Sequence, residues 1–198
     1  TFSSVNATRT VERPAVDQFA VPASALGGAW TGTWTQTSGA RTTAGADVRR
    51  VRGETRERFT FVSGAFTRLR VAGGAQKVGG LFALHEQPLS PTLRLLIGGR
   101  LDGWRDDDGH RRESDLATGV ASRDDHYAER TGNEFNPSAG LVWSPSVAWR
   151  FRAAAQQAFR RPTLNELYRP FRQGANVTEA NPAVKTEHGN TAELAGEP

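Results

Sequence analysis

The chain has 198 residues, 37% of them hydrophobic, with no cysteine, no methionine, and 25 basic against 21 acidic side chains. That is enough for one ordinary domain; without cysteine there are neither disulfides nor thiolate metal sites, and no run approaches the ~20 consecutive apolar residues of a membrane helix. The net charge of +4 comes from mixed-sign clusters at 105–108 and 111–115, without the one-signed stripe of a nucleic-acid binder, so nucleic acid is not an expected partner.

Taken in chain order, the segments that remain alternate with a period of two. Residues 28–37 put Trp30 and Trp34 on one face. Over 40–51, Ala40, Thr42, Ala44, Ala46 and Val48 oppose Arg41, Thr43, Asp47 and Arg49. Over 74–87, Val78, Phe82 and Leu84 oppose Lys77 and His85. The clearest case is 92–104, where Leu93, Leu95, Ile97, Gly99, Leu101 and Gly103 oppose Arg94, Arg100 and Asp102. Residues 136–143 align Ala139, Leu141 and Trp143. Over 147–159, Val147, Trp149, Phe151, Ala153 and Ala155 oppose Arg150, Arg152 and Gln156.

These runs are longer than the ~5–6 residues of a globular strand and match the ~9–11 of a tilted membrane strand. Short turns are expected at Ser38-Gly39, at 88–91 and at 144–146. Long polar loops are expected at 7–27, 52–73, 105–135 and 160–185. Alternation of short and long connections is the layout of an outer-membrane barrel, with short periplasmic turns and long extracellular loops. The fold expected is therefore all-β, a transmembrane antiparallel up-and-down β-barrel of about eight strands, with partial strands at both ends. Trp30, Trp104 and Phe159 at the loop ends, and Trp143 and Trp149 beside the turn at Pro145, are expected to form the aromatic girdles. With Thr1 in place of a methionine and no basic-apolar leader, the chain reads as an internal excerpt whose export signal lies upstream.

Residues 159–187 carry a more specific pattern. Phe159-Arg160, then Pro162-Thr163-Leu164-Asn165-Glu166-Leu167-Tyr168, then Asn181-Pro182, Lys185 and Glu187 resemble the barrel of TonB-dependent outer-membrane receptors, with Val184 where that family usually has leucine. Residues 45–49, 81–83 and 99–104 are similar to it as well. The resemblance implies a barrel of ~22 strands with a plugged lumen, of which residues 1–198 are a partial barrel domain without the plug. It also implies a Gram-negative outer-membrane location and energy-coupled uptake of a nutrient, foremost a ferric siderophore. The partners implied are membrane lipid, the plug domain, TonB and a small metal chelate.

The chemistry of the motif is that of a loop. Pro162 ends a ladder because it cannot donate to it. Thr163 and Glu166 fit a reciprocal capping box. Asn181-Pro182 sets a turn. Arg160, Pro162, Thr163, Asn165, Glu166, Leu167, Tyr168, Asn181, Pro182, Lys185 and Glu187 are thus expected to shape and seat the loop rather than to touch ligand. Arg94, Arg100, Asp102, Arg150 and Arg152 are the candidates for the lumen face, where they would pair with plug carboxylates or with Asp47 and Asp102, or attract an anionic substrate.

The remaining constellations are weak. The run Asp106-Asp107-Asp108-Gly109-His110 lacks calcium-loop spacing and reads as a solvated loop tip. The four histidines form no ligand pair, and Ser122 with His126 is a chance pairing inside a charged loop. No catalytic residue, metal site or cofactor is expected. Two other readings remain open on these residues: a small stand-alone barrel acting as pore or adhesin, and a soluble β-rich binding module.

Overall fold

The alternating segments become antiparallel strands, each bonded to its neighbour in sequence. The computed structural model describes residues 2–4, 13–173 and 176–198. In chain order these give β1 (Phe2–Ser4), β2 (Arg13–Ala20), β3 (Ala23–Thr35), β4 (Arg41–Val62), β5 (Ala65–Ser90), β6 (Leu93–Asp115), β7 (Ala121–His126), β8 (Arg130–Ser146) and β9 (Trp149–Arg160). The single-turn helix α1 (Leu164–Tyr168), β10 (Phe171–Gln173), β11 (Asn176–Thr178) and β12 (Glu187–Glu197) follow. The main sheet runs β1-β2-β4-β5-β6-β8-β9-β12, with β3 also on β4 and β7 also on β6, and it curls into a half-barrel. β2 and β3 lie end to end along one edge of β4, parted at Pro22, which has no N–H for the ladder. The pair β10-β11 forms a separate hairpin.

The three short turns occur near the expected places. Gly39 supplies the positive φ of 80° at the first. The other two fall at Pro91-Thr92 and Val147-Ala148, displaced because the strands run on through Ser90 and Ser146. The expected long loops are the larger correction. Residues 52–73 are the far halves of β4 and β5, joined by a two-residue turn at Ser63 and Gly64 with φ of 50° and 85°. Both values are positive, as a tight hairpin needs. Residues 105–135 hold the rest of β6, all of β7 and the start of β8, and much of 13–27 is β2 and β3. Residues 7–12 of the first expected loop lie outside the described residues, and among the described residues of these segments it is 161–186 that departs from the main sheet.

Register fixes the two faces. Trp30, Ala46, Leu81, Leu101 and Phe135 are direct cross-strand partners in one row, and Trp30, Leu81, Leu101 and Phe135 are each more than half exposed. Leu95, Leu141, Ala153 and Leu194 form another row on that face. Along β6 it extends from Leu93 to Gly103, eleven residues. At ~3.4 Å each and ~45° tilt these cover about 24 Å of height, the ~25 Å of a lipid-facing band. Immediately beyond it the same face becomes charged in the row Arg50–Lys77–Arg105.

At the turn end, Phe151 stacks between Trp143 (5.5 Å) and Trp149 (6.0 Å) on this apolar face, and Trp30 meets Trp34 edge-on at 6.3 Å. Two expectations are corrected. Val78, Phe82 and Leu84 lie on the opposite, polar face in register with Trp104, Arg100 and Gly98, while Lys77 and His85 share the apolar face. The face of β5 was misassigned because the apolar face of that strand is mostly small, with Gly79 and Ala83 flanking Leu81. Trp104 is likewise on the polar face and belongs to no girdle.

Candidate functional site

Alternation forces every second side chain of the long strands onto the face away from the apolar band. Arg94, Arg100 and Asp102 of β6 share this face with Arg152 through the row Arg94–Val142–Arg152, and Arg150 follows Arg152 by the period of two. The structure divides these arginines between two environments.

Arg100 is enclosed by carboxylates. Its Nε donates to both oxygens of Asp102 at 2.8 and 2.9 Å, and its Nη1 and Nη2 donate to Asp47 at 2.5 and 3.0 Å. Asp102 is 1% exposed. Gly80, the residue opposite Asp102, has no Cβ; one built there overlaps the Arg100 guanidinium and the Asp102 carboxylate, so a side chain at this position would displace the cluster. Arg94, Arg150 and Arg152 lie instead at the turn end, around a groove of about 450 Å³ shared with Glu86.

At the opposite end, α1 and its loop fold over the polar face. The capping box is formed: Thr163 N–H donates to Glu166 Oε2 at 2.7 Å and Glu166 N–H donates to Thr163 Oγ1 at 3.3 Å. Arg160 donates to both oxygens of Glu166 and to both of Glu187, so the exit from β9, the helix and the entry to β12 share one clasp. Leu167 and Tyr168 are buried, at 0% and 1% exposure. Tyr168 rests on bare backbone at Gly74 and Gly109, where an added Cβ comes within 2.8 and 2.5 Å of its ring. It also stacks on Tyr127 at 5.2 Å.

Gly109 belongs to a bulge in β6 in which Asp108 takes a φ of 55°. The acidic run 106–108 is therefore no loop tip. Asp106 is fully buried, accepting from Arg161 Nη2 at 2.5 Å and from Gln76 Nε2 at 3.0 Å, and Gln76 also donates to the Pro162 carbonyl at 2.9 Å. Arg161 lies 3.5 Å over the Trp104 ring, whose π face takes the guanidinium; burial pulls that guanidinium below its ordinary pKa, against the pull of Asp106.

Further anchors complete the seat. Arg169 Nε donates to the buried Glu57 at 2.6 Å, and Glu57 also accepts from Arg70 at 3.4 Å. Arg70 and Arg111 converge on Glu113, at 2.7 and 2.6 Å, and Arg111 also bonds Glu179 in the loop. Burial alone raises the Glu113 pKa, but these two guanidiniums hold it below the ordinary carboxylate value. Arg130 donates to the carbonyls of Pro182 and Val184 at 2.6 and 2.8 Å, and Ala183 N–H closes the Asn181 turn at 2.9 Å. Asn165 and Lys185 are exposed. Ser122 donates to the Glu113 carbonyl and His126 faces Asp124, so neither serves the other.

The loop's clasp yields a prediction. The hydrogen bond from Arg160, then the one from the Thr163 N–H, push the Glu166 carboxyl down to about 2 from an ordinary 4.5. A depressed acid contributes fully above its unfolded value and is lost as pH falls through the folded one. Hydrogen exchange of 161–186 is expected to hold steady from pH 8 to pH 5, after correction for intrinsic rates, and to rise only toward pH 2. At neutral pH, Thr163→Ala is expected to quicken exchange in this loop about fivefold, the equivalent of ~1 kcal/mol of lost cap; mass-spectrometric exchange reads both effects.

Sequence reasoning missed Glu57, Glu86, Asp106 and Arg161 as organising charges. A usable signal was the pair of glycines, Gly74 and Gly109, on strands that become neighbours, since bare backbone on adjacent strands marks a close approach.

The chain matches a family model described as TonB dependent receptor-like, beta-barrel, over residues 2–197. No curated protein matches the chain, so the comparison supplies a family and no relative's substrate. Spanning nearly the whole sequence and agreeing with the two-faced antiparallel sheet, the match shows that the chain belongs to the TonB-dependent receptor β-barrel family, whose members are outer-membrane receptors and transporters of Gram-negative bacteria.

Proposed function

We propose that this chain forms about a third of the barrel wall of a receptor that takes up a ferric siderophore by energy-coupled transport. The apolar face meets lipid, and the polar face with Arg94, Arg100, Asp102, Arg150 and Arg152 lines the lumen. A plug domain fills that lumen, and TonB acts through parts of the receptor outside this chain. The observation that carries the reading is the two-faced sheet: an exposed apolar band of bilayer height backs a face whose charges are paired across strands. Arginine excess at the turn end of that face suits anionic groups, which a ferric chelate and a carboxylate-bearing plug both carry.

The seated loop refines the mechanism. The described residues of 161–186 are anchored through Asp106, Glu57, Arg111 and Arg130, and this many anchors tie them to the rim. Substrate-dependent movement is then left to the plug and to other loops.

The test is radiolabelled iron uptake from ferric siderophores under iron limitation, in a strain lacking the full-length gene. Uptake is expected to fall to background, to return with the gene, and to require TonB. Undiminished uptake of every ferric chelate tried, with expression indifferent to iron, would contradict the substrate class and point to another nutrient.

A further inference from the structure

On the apolar face, beside the charged row Arg50–Lys77–Arg105, runs a row with little side chain. Val48, Gly79, Gly103 and Asn133 are direct cross-strand partners in it, and Gly28 extends it past Val48. The next row toward the turns is apolar again, with Leu81 64% and Leu101 53% exposed. The outer wall is thereby dented by about 360 Å³, with Gly79 and Gly103 as the floor and Val48, Lys77, Arg105 and Asn133 around it. β5 and β6 have neighbours on both sides, so this floor lies inside the sheet and away from its edges.

Packing of the sheet does not require these glycines. At Gly45, Gly73, Gly80 and Gly109 an added Cβ would meet an atom at 2.3 to 2.5 Å. At Gly79 the nearest atom is 3.4 Å away, and at Gly103 it is the Asn133 side-chain oxygen at 3.3 Å. Neither glycine takes a positive φ. Glycine inside a strand costs about 0.5–1 kcal/mol relative to alanine. Where the sheet itself has no use for it, it marks a close approach from outside.

The rim has the depth and the charge of a headgroup contact. Arg105 stands two residues beyond Gly103, about 5 Å of height at ~3.4 Å each and ~45° tilt, and the headgroup layer is ~5–8 Å deep on each side of the hydrocarbon. Lys77 and Arg105 share Asp107, at 2.7 and 3.5 Å, and Arg105 also pairs with Glu129. Among the described residues Arg50 has no carboxylate within 4 Å, so three cations meet two acids. The Lys77 and Arg105 side chains remain 42% and 49% exposed. Cations above an apolar wall are ordinary, because their stems reach for water; the bare floor beneath them is not.

We propose that this dent binds a phosphate-bearing lipid of the outer leaflet, its phosphate on Lys77, Arg105 and Arg50, its head over Gly79 and Gly103, and its chains along Leu81 and Leu101. The proposal rests on the receptor reading above, in which the apolar face meets lipid and the end opposite the short turns is extracellular. A free phosphate would answer the cations alone and leave Val48, Leu81 and Leu101 wet, whereas a lipid answers both.

The experiment uses the full-length receptor in detergent micelles, with native mass spectrometry reading bound lipid and heat-modifiable gel migration proving a folded barrel. The probe is bis-phosphorylated lipid A, beside the same lipid stripped of its phosphates. Wild type is expected to bind the phosphorylated form about tenfold more tightly, and Lys77→Gln with Arg105→Gln to lose that preference, ~1.4 kcal/mol of charge-assisted contact. Gly79→Leu with Gly103→Leu fills the floor while keeping the cations, and is expected to weaken binding of the phosphorylated lipid by about the same factor. If the leucine pair does not fold, the glutamine pair decides. Excess inorganic phosphate is expected to leave the lipid bound; displacement of the lipid would reveal an anion site only and overturn the proposal. Folded variants that keep the wild-type preference overturn the site and leave the receptor reading intact. Recovery of the full-length protein in the soluble fraction without detergent overturns both.

Discussion

Replacing Arg100 by alanine is expected to destabilise the barrel by about 3 kcal/mol, the low end for breaking a buried ion pair because the guanidinium side chain is 31% exposed. The cost does not come from losing a favourable pair in water. It comes from leaving the Asp102 carboxylate, with 2% of its side chain exposed, and the neighbouring Asp47 aimed at the same emptied space. Removing one of those charges should therefore relieve much of it: Arg100→Ala with Asp102→Asn is expected to recover more than half of the loss. Urea unfolding of the lipid-reconstituted receptor measures both. Equal losses in the single and double variants would show that Arg100 acts by packing alone. Gly80→Ala should mimic the single variant, since its methyl overlaps both ion-pair partners.

The second large effect tests the opposite face. Ile97 is 55% exposed and stands midway along the apolar stretch of β6. An arginine there meets hydrocarbon near the middle of the bilayer, at an expected cost of ~2–4 kcal/mol. Leu96, one residue earlier, points to the polar face directly across from Glu86. Leu96→Arg is expected to cost less than ~1 kcal/mol, because it gains a carboxylate neighbour in a partly wet groove. The contrast between adjacent positions isolates the environment from the strand, whose hydrogen bonds both variants keep. Similar costs at the two positions would mean that the faces are not divided between lipid and water.

The parts of the fold legible in sequence are those where one face must be apolar. In β4, β6 and β9 the bilayer imposes a strict alternation, and Leu93 to Gly103 could be assigned to a face residue by residue. Beyond the row Arg50–Lys77–Arg105 neither face needs to be apolar, so the pattern fades while the ladder continues. The stretch from Arg52 to Thr60 accordingly looks like a loop, although its register with β5 is nearly unbroken. Cross-strand charge pairs such as Arg70 with Glu57 stand there in place of apolar rows. β5 misled for a related reason: glycine and alanine on its lipid side left Val78, Phe82 and Leu84 as the larger apolar signal.

The loop chemistry was legible wherever it is local. The reciprocal bonds of Thr163 and Glu166 span three residues and follow from their types and spacing. What seats the loop is not local: Arg161 reaches Asp106 across 55 positions and Arg169 reaches Glu57 across 112. No property of either residue in isolation names its partner, so only the assembled sheet reveals them.

The central claim is that one face of this sheet meets lipid and the other meets the lumen, and cysteine labelling of β6, in a chain that has no cysteine of its own, tests it. Single cysteines are placed one at a time from Leu93 to Trp104 in the full-length receptor, in native outer membranes. Each is then probed with a membrane-impermeant charged thiol reagent and with a lipid-soluble one. The account predicts two opposed alternations of period two, with positions 93, 95, 97, 99, 101 and 103 reacting from the lipid and 94, 96, 98, 100, 102 and 104 protected from it. Uniform labelling by the charged reagent, or alternation in the opposite phase, would contradict it.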